Sequence, residues 1–220
     1  MKKKKDLFIG CFNKSVILTY VGVIFSILGI FILMTNKEYE SIDRIGISMS
    51  CLIFAGICDL FDGFIARKCK RTDIQKSFGI QIDTLCDIIS FINFPVIILY
   101  RISTFYNSHI MHLTSNLIII IYIFSGITRL AWFNILANNE NKLNYYQGLP
   151  VTFISLILPI CYVIIQRVTF FWQNINIIFT IIYFIVSILF ILNIKIKKPT
   201  GIWYAVFSIL AVITLILLLV

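Results

Sequence analysis

Negative charge is scarce in this sequence. Of 220 residues only ten are Asp or Glu, against 19 Lys and Arg, and 13% are charged while 60% are hydrophobic. With a mean hydropathy of +0.96, that is more apolar surface than one soluble core can bury, which excludes a water-soluble globular domain and places the chain in lipid. Dyad alternation of apolar and polar residues is lacking as well, which excludes a membrane barrel. Backbone amides have no water partners inside a bilayer, so helices remain as the spanning element. The six cysteines (Cys11, Cys51, Cys58, Cys69, Cys86, Cys161) form no C-x-x-C pair and read as reduced, inert thiols. The two histidines, His109 and His112, stand three apart with no third ligand nearby and read as residues of a solvated loop. No internal repeat, low-complexity tract or composition break is visible, so residues 1–220 read as a single membrane domain.

What the chain has in abundance is long apolar runs. They fall at 15–34, 45–66, 79–100, 113–137, 149–166, 175–194 and 201–220, each near the ~20 residues that cross a hydrocarbon core. The expected fold class is an all-α integral membrane bundle of seven helices, the last an accessory to the first six. The opening Met1-Lys2-Lys3-Lys4-Lys5 resembles a signal n-region, but the apolar stretch after Ser15 is too long and lacks a small-residue cleavage site, so it is expected to stay attached. With the N-terminus in the cytoplasm and a crossing at every run, 14 of 19 Lys and Arg fall on the cytoplasmic side, four fall outside, and Arg129 lies within a span. This satisfies the positive-inside rule. The formal net charge of +9 then reflects topology and attraction to anionic headgroups. Basic residues scattered over four membrane-flanking segments argue against nucleic acid binding, and Phe170, Phe171 and Trp172 read as an interfacial belt.

Four of the ten acidic residues, Asp59, Asp62, Asp83 and Asp87, sit in apolar helical stretches. Each carboxylate there costs roughly 2.5–3.5 kcal/mol on insertion scales, so such residues face a partner, a cavity or an ion. Asp59 and Asp62 are related by i,i+3 and Asp83 and Asp87 by i,i+4, so each pair projects from one helix face. A polar turn over Arg67–Phe78 is expected to bring the faces together. Four clustered carboxylates repel unless neutralised, and hard oxygen ligands favour magnesium or manganese. Two such ions, bridged by shared carboxylates, suit phosphoryl chemistry. Gly63 and Ala66 leave room for a ligand against the backbone, Arg67 supplies a cation that can clamp phosphate, and Gly79 allows close approach where the next helix begins. Helix packing is the alternative for the glycines.

Asp59-Leu60-Phe61-Asp62-Gly63-Phe64-Ile65-Ala66-Arg67, followed by Gly79-Ile80-Gln81-Ile82-Asp83-Thr84-Leu85-Cys86-Asp87, resembles the CDP-alcohol phosphatidyltransferase signature, D-x-x-D-G-x-x-A-R…G-x-x-x-D-x-x-x-D. The spacer Lys68–Phe78 has eleven residues where the family usually has eight. Phe78 to Phe91, Thr128-Arg129-Leu130-Ala131-Trp132-Phe133-Asn134 and Tyr146-Gln147-Gly148-Leu149-Pro150 are similar to segments of the phosphatidylserine synthase branch. Ile92-Asn93 and Trp132 depart from that branch. The resemblance covers residues 13–196 and leaves 201–220 as an accessory transmembrane helix.

The resemblance implies a six-helix core, a homodimer, an active site opening to the cytoplasm, and CDP-diacylglycerol as donor. It implies two divalent ions, Mg²⁺ or Mn²⁺, with Asp59 and Asp83 as ligands to both, Asp62 to one and Asp87 to the other. Asp87 would also be the general base toward the acceptor hydroxyl, serine being the favoured acceptor. Gly63 and Arg67 would contact the donor, as would Ser77, the candidate hydroxyl near Gly79. Thr19 either bonds its own helix backbone or faces the cytidine pocket. Arg129 and Asn134 either bind the acceptor or serve as a snorkelling arginine and a helix cap. Two rivals stand beside this reading: the same chemistry with glycerol phosphate, inositol phosphate or choline, and a divalent-metal transporter. The transporter needs polar groups across the bilayer, which the later spans lack.

Overall fold

The apolar runs do form helices. The computed structural model describes residues 15–35, 43–104, 109–138, 145–168, 173–197 and 202–219. The lysine-rich N-terminus and Phe170, Phe171 and Trp172 lie outside the described residues. In chain order the elements are α1 (Ser15–Met34), α2 (Arg44–Lys68), α3 (Asp73–Asp87), a π-helical segment (Ile88–Asn93), α4 (Phe94–Ser103), α5 (His109–Asn138), β1 (Tyr145–Gln147), a 3-10 turn (Val151–Phe153), α6 (Ile154–Gln166), α7 (Ile175–Ile191), β2 (Lys195–Lys197) and α8 (Ile202–Leu219). Since α3, the π segment and α4 run on without a break, the described chain makes seven rods. Four of these, Val16–Met34, Arg44–Ala66, Asp73–Ser103 and His109–Leu136, are long and apolar enough to cross a membrane; Val151–Gln166, Ile175–Ile191 and Trp203–Leu218 are shorter apolar helices. The run at 175–194 is therefore trimmed. Leu192 turns to an extended conformation, and β2 then pairs antiparallel with β1, Gln147 facing Lys195.

The third rod starts six residues earlier than its apolar pattern. Thr72 and Gln75 form a reciprocal capping box: the Gln75 amide donates to Thr72 Oγ1 at 3.3 Å, and the Thr72 amide donates to Gln75 Oε1 at 3.1 Å. Asp73 in the first turn complements the helix dipole and accepts a bond from Lys76 at 2.8 Å. The expected polar turn over Arg67–Phe78 thus shrinks to Cys69–Thr72. Ser77 and Gly79 lie inside α3 and not on a loop or at a helix start.

Close packing of α1 on α2 follows from small residues. Gly22, Ser26 and Gly29 share one face of α1. A Cβ on Gly22 would lie 3.2 Å from Cys58 Cβ, and one on Gly29 would overlap the Phe94 ring. The rod's wide turn has a cause in Pro95, which has no N–H to offer the Phe91 carbonyl four residues back. The Tyr122 hydroxyl from α5 donates to that oxygen at 2.7 Å, and the Tyr183 hydroxyl from α7 donates to the Pro95 carbonyl at 2.5 Å. These tyrosines are fully buried beside Phe91, Phe94, Ile98 and Phe179, so the core is built around the break.

Candidate carboxylate site

The two predicted aspartate pairs come from α2 and α3, joined by only four non-helical residues. An oxygen from each of Asp59, Asp83 and Asp87 lies within 4.8 Å of the other two. These three side chains are half-buried, so the cluster sits in a recess and not on an open surface. Hard oxygen donors at that spacing fit a magnesium- or manganese-type ion, which relieves the mutual repulsion of three carboxylates this close without their taking up protons.

Asp62 stands apart from this trio. It is only 7% exposed, and its Oδ2 accepts a hydrogen bond from Thr19 Oγ1 of α1 at 2.8 Å. The charges of Asp62, Asp59 and Asp83 still act on one another. Thr19 therefore bonds a carboxylate of the neighbouring helix and not its own helix backbone. No short-range sequence signal could show this, because the partners are 43 residues apart.

Asn134 departs from the helix-cap reading. It lies within α5 and does not cap it, and its Nδ2 is 2.9 Å from Thr84 Oγ1, while the Thr84 hydroxyl reaches the Ile80 carbonyl at 2.9 Å. Thr84 is the residue between Asp83 and Asp87 that sequence reasoning passed over; this bond ties their helix to α5. Arg129, five residues before Asn134, is 6% exposed. Its guanidinium carbon is 5.0 Å from the Phe133 ring centroid, and Asp87 and Asp59 are the carboxylates within reach of its charge. Arg129 Nε has no hydrogen-bond partner among the described residues. A buried cation with a free donor, drawn toward a carboxylate cluster, is equipped to hold an anionic group there.

The small residues divide. Among the described residues a Cβ placed on Gly63 meets nothing within 4 Å, so packing against them does not account for this glycine, whereas one on Gly79 meets only Arg71 Nη1 at 3.5 Å, an ordinary contact. Open space thus adjoins Asp62 on the face that carries Asp59. Ala66 is half-buried and Arg67 occupies the last turn of α2; Ser77 is exposed on α3. The start of α6 is fixed beside the end of α7. Gly148, at φ +74°, donates to the Ile194 carbonyl at 2.9 Å, and Leu149 donates to the Leu189 carbonyl at 3.0 Å. A Cβ on Gly148 would press on the Phe190 carbonyl oxygen at 2.6 Å, so both its dihedral and its surroundings require glycine. Trp132, which departs from the expected arginine, donates from Nε1 to Gln147 Oε1 at 2.7 Å.

A predominantly helical, membrane-type bundle in which three carboxylates converge is the frame of a multi-pass membrane enzyme whose acidic cluster could hold a cation. The family model for CDP-alcohol phosphatidyltransferase matches residues 12–189, and the chain belongs to that family. It is 25% identical over 172 residues to a CDP-diacylglycerol–serine O-phosphatidyltransferase of Helicobacter pylori, covering 78% of this chain and 69% of that protein. It is 31% identical over 150 residues to the archaetidylserine synthase of Methanothermobacter thermautotrophicus, covering 68% of this chain and 58% of that protein. A CDP-diacylglycerol–serine O-phosphatidyltransferase of Saccharomyces cerevisiae is 29% identical over 126 residues, 54% of this chain and 42% of the yeast protein.

Proposed function

We propose that this protein transfers a phosphatidyl group from CDP-diacylglycerol to the hydroxyl of L-serine and releases CMP. The observation that carries the reading is the meeting of Asp59, Asp83 and Asp87 within 4.8 Å beside the buried, incompletely partnered Arg129. Serine is favoured by the names of the relatives and by this arginine, which suits the amino acid's carboxylate. A phosphorylated acceptor calls for further cationic groups in the later helices, which the sequence does not offer.

Asp59, Asp83 and Asp87, with Asp62 close by, would hold two divalent ions, Mg²⁺ or Mn²⁺. Such ions, when bound, neutralise the donor's pyrophosphate and the charge on departing CMP. Asp87 takes the proton of the serine hydroxyl; the oxygen bonds to the phosphorus carrying diacylglycerol, and the bond from that phosphorus to the oxygen of CMP breaks. Gly63 leaves backbone room for the donor, Arg67 and Ala66 flank it, and Arg129 orients the acceptor so that proximity lowers the barrier. Thr19 and Asn134 enter as positioning residues, through Asp62 and Thr84. The active site and N-terminus face the cytoplasm of a cell membrane in this reading, which the lysine and arginine distribution supports, and the family resemblance points to a homodimer.

The test uses the full chain purified in detergent, given CDP-diacylglycerol, Mn²⁺ or Mg²⁺ and a panel of alcohols, with CMP release and lipid product measured. Serine-dependent CMP release is expected. Product formed only with another alcohol overturns the serine assignment and keeps the class. Absence of CMP release with every alcohol overturns the transferase reading.

A further inference from the structure

The short β1–β2 ribbon sits against the end of α5, beside Arg129. Consecutive residues of the helix, Trp132 and Phe133, engage consecutive residues of the strand, Gln147 and Tyr146. Trp132 Nε1 donates to Gln147 Oε1 at 2.7 Å, and the Phe133 and Tyr146 ring centroids lie 6.3 Å apart with the planes tilted by 51°. Side chains alternate along a strand. Tyr145 and Gln147 share one face with Lys195 and Lys197, and Lys195 Nζ stands 5.1 Å from the Tyr145 ring centroid. Tyr146 shares the opposite face with Ile196, which packs on the hydrophobic core. The register therefore turns Tyr146 inward. The ribbon is held in that register where Gly148 and Leu149 donate to the carbonyls of Ile194 and Leu189.

Phe133 stands one turn beyond Arg129 on α5, with the guanidinium carbon 5.0 Å from its ring centroid. An aromatic face holds a buried cation without occupying its hydrogen bonds. A carboxylate partner takes two N–H groups in a bidentate pair, whereas a ring attracts the charge through its quadrupole and leaves the donors in the guanidinium plane available. No ion pair to Arg129 forms among the described residues, and its Nε has no hydrogen-bond partner among them. Tyr146 limits how far the Phe133 ring can swing, and with it where the cation rests.

We propose that Phe133 and Tyr146 are positioning residues for the acceptor: Tyr146, carried by the ribbon, holds the Phe133 ring, and the ring holds Arg129 where its N–H donors meet the acceptor's carboxylate. The inference rests on the reading of Arg129 as the acceptor-binding arginine. It gives the ribbon control of acceptor affinity and no part in the carboxylate chemistry on α2 and α3.

The experiment uses the full chain in detergent and compares wild type with F133L, F133Y, Y146A, Y146F, the double variant F133L/Y146A, and Y145A on the opposite face of the ribbon. The KM for serine is expected to rise roughly 10-fold in F133L, the order a desolvated cation–π contact carries, and by a smaller factor in Y146A. The kcat and the KM for CDP-diacylglycerol stay at wild-type values, the pattern of a lost binding contact. F133L/Y146A is expected to be no worse than F133L, because Tyr146 acts through the ring that F133L has already removed. F133Y and Y146F, which keep the rings, and Y145A hold the wild-type KM. Where Y146A does not fold, Y146L takes its place. A serine KM that stays put in folded F133L and Y146A, or that moves as far in Y145A, overturns the proposal.

The half-saturating serine concentration for thermal stabilisation, read with Mg²⁺ and CMP and no lipid donor, repeats the comparison without turnover. A shift there in F133L and Y146A, in a protein that forms no serine product, sinks the proposed transfer to serine and keeps the positioning role. Serine product together with equal half-saturation in wild type, F133L and Y146A sinks the positioning role alone. Wild type neither stabilised by serine nor turning it over sinks both.

Discussion

Thr19 and Asn134 hold their partners across 43 and 50 residues of chain, and neither touches the carboxylate trio's oxygens in the geometry described. They are expected to act on affinity more than on chemistry. Replacing Thr19 by Val removes the hydrogen bond that aims Asp62; metal affinity should fall roughly 10–100-fold, the range for outer-shell partners, and Thr19→Ser should restore most of it, as read from the Mn²⁺ dependence of CMP release. Asp87→Asn removes a base while keeping shape, and CMP release should fall about 10²–10⁴-fold while CDP-diacylglycerol still stabilises the protein against heat. The aspartate quartet could be found in the sequence because i,i+3 and i,i+4 spacing in an apolar run is a local pattern with a fixed geometric meaning. The division of labour within it was not legible. That Asp62 would be engaged by Thr19, leaving a trio, depends on how α1 lies on α2, and Gly22, Ser26 and Gly29 set that contact through packing rather than through any spacing relative to Asp62.

Among the helices, the break at Pro95 makes the clearest energetic statement. Tyr122→Phe leaves the Phe91 carbonyl buried without its hydroxyl donor, which should cost about 1–3 kcal/mol, seen as a lower unfolding temperature in detergent. Thr72→Ala removes one half of a capping box and should cost ~0.5–2 kcal/mol, loosening the first turn of α3. The pattern Thr72-Asp73-Ile74-Gln75 was present in the sequence as a helix-start signature. It was masked because the residues from Lys68 to Lys76 are polar and the apolar run begins only after them, so hydropathy placed the start at Gly79. The same limit applied at Leu192: continuous apolar character carries no mark for the point where a helix yields to a strand that pairs with residues 48 to 52 positions earlier.

At the scale of the whole molecule, the number of rods followed from counting apolar runs, because insertion energetics act on segments and not on particular contacts; the lysine and arginine placement makes the orientation an expectation. The orientation is checked in a variant with the six native cysteines replaced by serine or alanine: Ser77→Cys in that background should react with a membrane-impermeant maleimide in inverted vesicles and stay unlabelled in intact cells. Chelation by EDTA should stop CMP release, with recovery on adding Mg²⁺ or Mn²⁺ and none on adding Ca²⁺, whose larger radius and higher ligand demand suit three close carboxylates poorly. The departures Ile92 and Asn93 from the related branch fall within the π turn. One surplus residue there offsets the two halves of the rod by roughly 100°, the rotation of one helical step. Excising a single amino acid between Ile88 and Asn93 would swing Asp83 and Asp87 off their bearing on α2 like a misindexed gear, while the tyrosine-clamped lower half stayed seated.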